Sequence, residues 1–306
     1  MTLKGHNYAG VEQNGALHVE GVNLVNRAAK PVRLKGMSSY GMQWQPQFTS
    51  EGSVRATRDY GANLLRVAMY TDENGYISNP EKLKKDVFDA VDTAIRLDMY
   101  TIIDWHILHD NNPQMYQKEA KEFFAEAAQR YAGNPAVLYE ICNEPNGRVT
   151  WNDDIKPYAE EIIPVIRGFA PDSVILAGSG TWSQDVNEPA DSPLSFPNVM
   201  YTCHFYAGTH GEDLRSKIDY ALSKGAPIFI SEWGTTRAGG NNGVYIEKSE
   251  EWLAFLDQHG LSWANWSLGD KDESSAALLP GASPEGNWKK GDWSDSGKFV
   301  FRKLSE

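Results

Sequence analysis

The chain has 306 residues, 41% of them hydrophobic, which is enough for one large barrel or two ordinary domains around a buried core. Ten Trp, fourteen Tyr and eleven Phe exclude global disorder, and no apolar run approaches the roughly 18 residues of a membrane span. A net charge of −12 argues against nucleic acid and against an anionic membrane surface as partners, and leaves neutral or cationic substrates open.

In chain order, the first ten residues, MTLKGHNYAG, lack the charged-then-apolar pattern of an export leader, so a leader is absent or has been trimmed. Turn-like Asn14-Gly15 and alternation over residues 16–25 predict a short β-hairpin closing the lower end of a barrel. Eight short apolar segments rich in β-branched or aromatic residues then read as strands buried on both faces: residues 32–37, 63–69, 100–105, 137–142, 174–177, 199–204, 227–232 and 262–267. Helical patterns lie between them. Residues 80–97 place Leu83, Val87, Val91, Ala94 and Ile95 on one face, and residues 115–131 do so with Phe123, Phe124, Ala127 and Ala128. Residues 153–169, 212–223 and 245–258 complete the clearest set, with Gly133, Gly168, Gly225 and Gly260 at the expected stops. Eight strands alternating with helices predict a single (β/α)8 TIM barrel over residues 1–306. A doubly wound open sheet would show a Gly-rich phosphate turn after an early strand, and the chain has none. Cys142 and Cys203 give neither a disulfide framework nor a paired metal spacing, and leave the compartment open.

The strand ends carry the chemistry. The second strand bears Arg66, the third ends Asp104-Trp105-His106, and the fourth ends Asn143-Glu144-Pro145. The sixth ends His204-Phe205-Tyr206, the seventh Ser231-Glu232-Trp233, and the eighth carries Asn265-Trp266. Such a rim would cost several kcal/mol in desolvation without pairing or function. Glu144 and Glu232, on the fourth and seventh strands, face each other across the mouth. A single Glu at a strand end is usually a cap or a salt bridge. Two facing carboxylates are what glycosidic cleavage requires, one protonating the leaving oxygen and the other attacking the anomeric carbon or activating water.

Five phrases carry a resemblance: Leu138-Tyr139-Glu140-Ile141-Cys142-Asn143-Glu144-Pro145, Ile102-Ile103-Asp104-Trp105-His106, His204-Phe205-Tyr206-Ala207-Gly208-Thr209-His210, Ile230-Ser231-Glu232-Trp233-Gly234 and Trp263-Ala264-Asn265-Trp266-Ser267-Leu268. With Arg66 they resemble, in order, the bacterial endo-β-1,4-glucanases of glycoside hydrolase family 5. The resemblance implies a retaining reaction with Glu144 as general acid/base and Glu232 as nucleophile. Arg66 and Tyr206 would keep Glu232 ionised, His106 and His204 would orient the reacting groups, and Asn143 would reach the sugar 2-hydroxyl. Trp266 would stack beneath the reacting sugar, Trp44 and Trp182 would hold neighbouring sugars, and Tyr70, Lys271 and Glu273 would add contacts. Tyr40 stands where these glucanases usually have a histidine, Gln45-Pro46 where an aromatic is common, and Cys142 where a small apolar residue is usual. Trp252, Trp263 and Trp288 read as core packing.

Rival readings are a metal hydrolase using His106, His109, Asp110 and Glu144, which lacks the helical i,i+4 histidine pair of a zinc site, and a non-catalytic sugar-binding protein, which would dispense with one carboxylate. Mannanase, xylanase or mixed-linkage glucanase would use the same machinery as a glucanase. The expectation is therefore a monomeric endoglucanase needing no metal or cofactor, acting on β-1,4-glucan oligosaccharides and polymers. A polymeric substrate that cannot enter a cell implies a secreted protein.

Overall fold

The computed structural model describes residues 8–306. Residues 1–7, which carry most of the leader reading and the start of the expected domain, lie outside them. Eight strands, β1 (Lys35–Ser39), β2 (Leu64–Tyr70), β3 (Tyr100–His106), β4 (Val137–Glu140), β5 (Ile175–Ala177), β6 (Val199–Tyr206), β7 (Ile228–Gly234) and β8 (Trp263–Leu268), close into a barrel. Every neighbouring pair is parallel, with β8 returning to β1. Each expected strand segment forms a barrel strand, with ends displaced by a few residues.

Helices α1 (Glu51–Asp59), α2 (Pro80–Arg96), α3 (Gln117–Arg130), α4 (Lys156–Arg167), α5 (Asn187–Asp191), α6 (Glu212–Ser223), α7 (Ile246–His259) and α8 (Asp295–Ser305) surround the barrel. Pro80 starts α2 where a missing N–H costs nothing, and Gly260 ends α7 in the left-handed conformation. The five expected helices are α2, α3, α4, α6 and α7. A π-helical turn, Trp151–Ile155, leads into α4. The sequence reading left out α1, α5 and α8. None of the described helices is long and apolar enough to cross a membrane.

The hairpin is present, but its turn lies elsewhere than expected. His18–Glu20 pairs with Asn23–Val25 around Gly21-Val22. Asn14-Gly15 instead ends a one-turn helix, Val11–Asn14, where Gly15 at φ +68° returns its N–H to the Val11 carbonyl. Leu17 and Leu24 seal the barrel floor against Leu34, Leu64, Ile102, Leu138, Leu176 and Phe229.

Because side chains alternate along a strand, the inward face of each strand samples successive layers of the barrel. On β2 the inward series runs Leu64, Arg66, Ala68, Tyr70, and on β3 it runs Ile102, Asp104, His106. The floor is apolar, the middle layer is charged, and Ala68, Tyr70, Tyr206 and Trp266 form an aromatic group at the mouth. The larger core lies between the strands and the helices.

Gly36 lies on β1 where it presses against β2, and a Cβ there would stand 1.9 Å from the Leu64 carbonyl oxygen. Gly36→Ala is expected to destabilise the fold by about 1–3 kcal/mol, as overpacking does. Urea unfolding should show a lower midpoint at unchanged slope.

Candidate active site

Arg66 is fully buried on β2, and its guanidinium organises the middle layer. Nε donates to Glu140 (2.7 Å), Nη1 to Glu232 (3.0 Å), and Nη2 to Asn143 Oδ1 (2.6 Å) while pairing with Asp104 (3.0 Å). Burial works against the guanidinium charge, but Asp104, Glu140 and Glu232 more than offset it and hold Arg66 firmly protonated. The fork geometry of arginine suits this arrangement, whereas a lysine ammonium could not reach all four partners along fixed directions.

Glu232, on β7, accepts from Arg66 through one carboxylate oxygen and from the Tyr206 hydroxyl (2.7 Å) through the other. Burial opposes its ionisation, but the His204 and Arg66 charges outweigh burial and keep its pKa below the usual carboxylate value. Glu144 lies four residues beyond the end of β4, in the loop, rather than on the strand itself. Its carboxyl sits 2.9 Å from His204 Nδ1. Burial, reinforced by the negative charge of Glu232, pushes Glu144 up to about 7. Two carboxyl groups of the same chemistry are thus driven apart, one inclined to hold a proton and the other to lose it.

A register shift brings these groups together. Between β7 and its neighbours, one extra residue is inserted near Ser231, so that Thr202 pairs with Phe229 but His204 pairs with Glu232. The bulge turns both Ser231 and Glu232 inward, although consecutive strand residues normally face opposite ways. Ser231 reaches Glu140 and His204 (2.6 and 2.8 Å), while Glu232 reaches Arg66.

His106 is held by Asp104 at Nδ1 (2.6 Å) and meets the Asn143 amide at Nε2 (3.2 Å). Burial and the nearby Arg66 lower its pKa to about 3, so its ring is neutral. That ring lies between Tyr70 (centroids 4.1 Å apart) and Trp266 (5.3 Å). Asn143 is fully buried. Its oxygen faces Arg66, and its amide hydrogens are directed to His106 and to the Ile107 carbonyl. The amide hydrogens expected to meet a sugar are thus directed, in this structure, to His106 and the Ile107 carbonyl.

An open cleft of about 570 Å³ covers this layer. Tyr40, Tyr70, His106, Glu144, Trp182, His204, Tyr206, Glu232, Trp266, Lys271 and Glu273, all expected from the sequence, line it. Arg66 and Asn143 lie beneath it. Trp44 flanks it as an exposed ring stacked on Tyr40 at 5.4 Å. Tyr40 also meets Trp266 edge-on at 5.6 Å and takes the Lys271 ammonium over its ring at 4.7 Å. Lys271 in turn pairs with Glu273.

Trp182 is 44% exposed because Thr181, Trp182 and Ser183 all have left-handed φ, between 52° and 56°, a costly run for residues other than glycine. Contacts to the Glu144 loop hold it, with Trp182 N–H donating to the Pro145 carbonyl and Ser183 Oγ to the Asn143 carbonyl.

Sequence reasoning missed Leu108, Gln184, His210 and the Ala238–Gly240 stretch as lining residues, and Asp104, Glu140 and Ser231 as supports. Glu140 carried a readable signal, since it is the only charge in Val-Leu-Tyr-Glu of β4.

Of the residues in the metal reading, His109 pairs with Glu73 at the surface, and Asp110 is committed to Thr71 and the Leu108 N–H. They do not converge with His106 and Glu144. Ligand-type atoms of Glu144, His204 and Glu232 do lie within 4.8 Å of one another. Arg66 and Tyr206 already occupy the Glu232 oxygens, and the guanidinium supplies positive charge beside that carboxylate. The arrangement suits proton transfer and nucleophilic attack.

Replacing Arg66 with Met leaves three buried carboxylates without their common partner. Arg66→Met is expected to cost about 3–5 kcal/mol of stability, the range for a buried pair that loses one member, as measured by denaturant unfolding.

Residues 25–272 match the family model described as Cellulase (glycosyl hydrolase family 5). The chain is 52% identical over 291 residues to an endoglucanase of Clostridium saccharobutylicum, covering 95% of this chain and 65% of that protein. It is 55% identical over 278 residues to endoglucanase A of Evansella cellulosilytica, covering 90% and 57%. It thus spans less than two thirds of either relative. Among solved structures, a Thermobifida fusca endoglucanase catalytic domain in complex with cellotetraose superposes with a TM-score of 0.93 at 36% identity, covering 97% of this chain and 99% of that one.

Proposed function

The chain belongs to the cellulase family, glycosyl hydrolase family 5, and on that footing we propose that it is a retaining endo-β-1,4-glucanase acting on cellulose-type glucans by double displacement. The spacing of the two carboxyl groups carries this reading. One oxygen of each lies within 4.8 Å of the other, a close approach that suits a carboxylate attacking the sugar directly, as in retaining enzymes, whose two carboxyl groups stand roughly 5–5.5 Å apart.

In the first step the ionised Glu232 attacks the anomeric carbon while Glu144 protonates the departing glycosidic oxygen. In the second, Glu144 takes a proton from water, and that water displaces Glu232 from the glycosyl-enzyme. Arg66 and Tyr206 hold the nucleophile in place and disperse its charge. His106, in the cleft wall, and Asn143, beneath it, fix the orientation of Arg66 and of the surface on which the sugar lies. Trp266 forms the floor for the reacting sugar. The exposed rings of Trp44 and Trp182 suit the apolar faces of neighbouring glucose rings. Tyr40, Tyr70, Lys271 and Glu273 supply directional contacts along one wall. Cellotetraose in the Thermobifida fusca relative supports a β-glucan as the ligand. A polymer of this kind is cleaved outside the cell, so the protein acts after export, and as a monomer, since one chain carries the complete constellation.

Glu144→Gln and Glu232→Gln should each lower turnover of carboxymethylcellulose by at least about 10²-fold without unfolding the barrel. Azide should rescue Glu232→Ala with an α-glycosyl azide product and Glu144→Ala with a β product. The opposite pairing would reverse the roles, and near-normal turnover by either Gln variant would remove them. Comparison with mannan and xylan tests the choice of glucan.

The pH profile follows from the two opposed carboxyls. Glu144 acts when protonated, so kcat/KM on cello-oligosaccharides should fall as pH rises through about 7. Glu232 acts when ionised, so the acid limb should lie below the ordinary glutamate range.

A further inference from the structure

Beneath the carboxyl pair lies a third glutamate that the mechanism leaves unused. Glu140 ends β4 with its carboxylate fully buried in the middle layer of the barrel. We infer that Glu140 is a positioning residue that, through Ser231, dictates which nitrogen of His204 carries hydrogen and thereby keeps a proton available at Glu144. This rests on the reading of Glu144 as the acid.

Glu140 Oε2 takes the Arg66 Nε–H (2.7 Å), and Arg66 holds the carboxylate ionised, so Glu140 has no hydrogen to give. Ser231 Oγ lies 2.6 Å from Glu140 Oε1 and 2.8 Å from His204 Nε2. The hydroxyl has one hydrogen, and the Glu140 contact consumes it. The Ser231 oxygen must therefore accept from His204, which places a hydrogen on Nε2. Glu140 Oε1, 3.6 Å from that nitrogen, reinforces this choice electrostatically. On the far side of the ring, Nδ1 and Glu144 Oε1 are 2.9 Å apart and share a single remaining proton. With Nε2 already protonated, that proton is held between Nδ1 and Glu144, where the surrounding carboxylates raise His204 to about 9 and burial raises Glu144 to about 7, so it stays available to Glu144 near neutral pH. That is the proton the leaving oxygen needs.

The charged and titratable groups around this relay are few. Arg66 and Tyr70 approach from β2, Asp104 and His106 from β3, Glu144 from the loop after β4, Tyr206 from β6 and Glu232 from β7. Strands β5 and β8 have no titratable side chain. In this set Asp104, Glu140 and Glu232 surround Arg66 and His204, so loss of the Glu140 charge makes removal of the shared proton easier.

Glu140→Gln reverses the relay without changing size. The amide oxygen must face the Arg66 Nε–H, which turns the NH2 towards Ser231 and sends the Ser231 hydrogen to His204 Nε2. A neutral His204 then carries hydrogen on Nδ1 and donates to an ionised Glu144. With cellopentaose as substrate, the alkaline limb of kcat/KM is expected to move at least about one pH unit lower, within the range that one adjacent charge produces. A profile lowered uniformly, with its alkaline midpoint unmoved, overturns the inference and leaves Glu140 a structural residue.

Two measurements on the unaltered enzyme complete the test. In 15N NMR of the histidine rings, His204 should keep Nε2 protonated from pH 5 to 8, and a neutral Nδ1–H form overturns the relay even if Glu140→Gln fails to fold. With 2,4-dinitrophenyl β-cellobioside, whose leaving group needs no proton, the alkaline limb should vanish. If it persists, Glu144 is not the acid and both readings fall. If it vanishes while Glu140→Gln leaves the cellopentaose limb in place, only the role of Glu140 falls.

Discussion

A single buried guanidinium holds this site together. Arg66 stands in the middle layer of the barrel with Asp104, Glu140 and Glu232 within 3.0 Å and the Asn143 oxygen at 2.6 Å. Charges this deeply buried are tolerable only in company, and the partners come from different strands, so the arrangement exists only when the barrel has closed. Stability and chemistry are joined here, since the contact that neutralises Arg66 also aligns Glu232 and orients Asn143.

Around that anchor the two reactive carboxyls are given opposite characters by their surroundings. Glu232 sits beside positive charge and a phenolic donor, while Glu144 faces another carboxylate and has only His204 beside it. His204 and Ser231 link Glu144 to the middle layer, so the two carboxyls belong to one hydrogen-bonded system rather than two independent side chains. Such a network fixes rotamers as well as charge, because Glu140, Ser231 and His204 are each held at two points.

The aromatic mouth is built on the same layer. His106 is neutral and lies between Tyr70 and Trp266, so the ring that touches the charged layer from above also packs as a hydrophobe. Tyr40 connects Trp44, Trp266 and the Lys271–Glu273 pair into one wall. Trp182 stands apart on its strained turn, fastened to the backbone of the Glu144 loop. An exposed indole beside a reactive carboxyl is thus positioned by the same loop that carries the carboxyl.

Much of this was legible in the chain itself. Eight apolar segments separated by amphipathic stretches specify the barrel, because strands buried on both faces must be apolar throughout and helices covering them must be so on one side. Charged and aromatic residues at the ends of those segments mark the rim, since nothing in a purely structural barrel would keep them there. The helices α1, α5 and α8 were harder to see: α5 is a single turn, and α1 and α8 carry apolar residues in short stretches. The Asn14-Gly15 turn was misplaced because a left-handed glycine ends a helical turn as readily as it starts a hairpin. Residue types and strand order could not reveal the bulge in β7 that turns Ser231 and Glu232 to the same side, or the commitment of both Asn143 amide hydrogens inside the wall. Nor could they reveal Glu140 as a partner of His204. Those depend on register between strands far apart in sequence, and register is decided only when the closed sheet has to satisfy all its buried charges together.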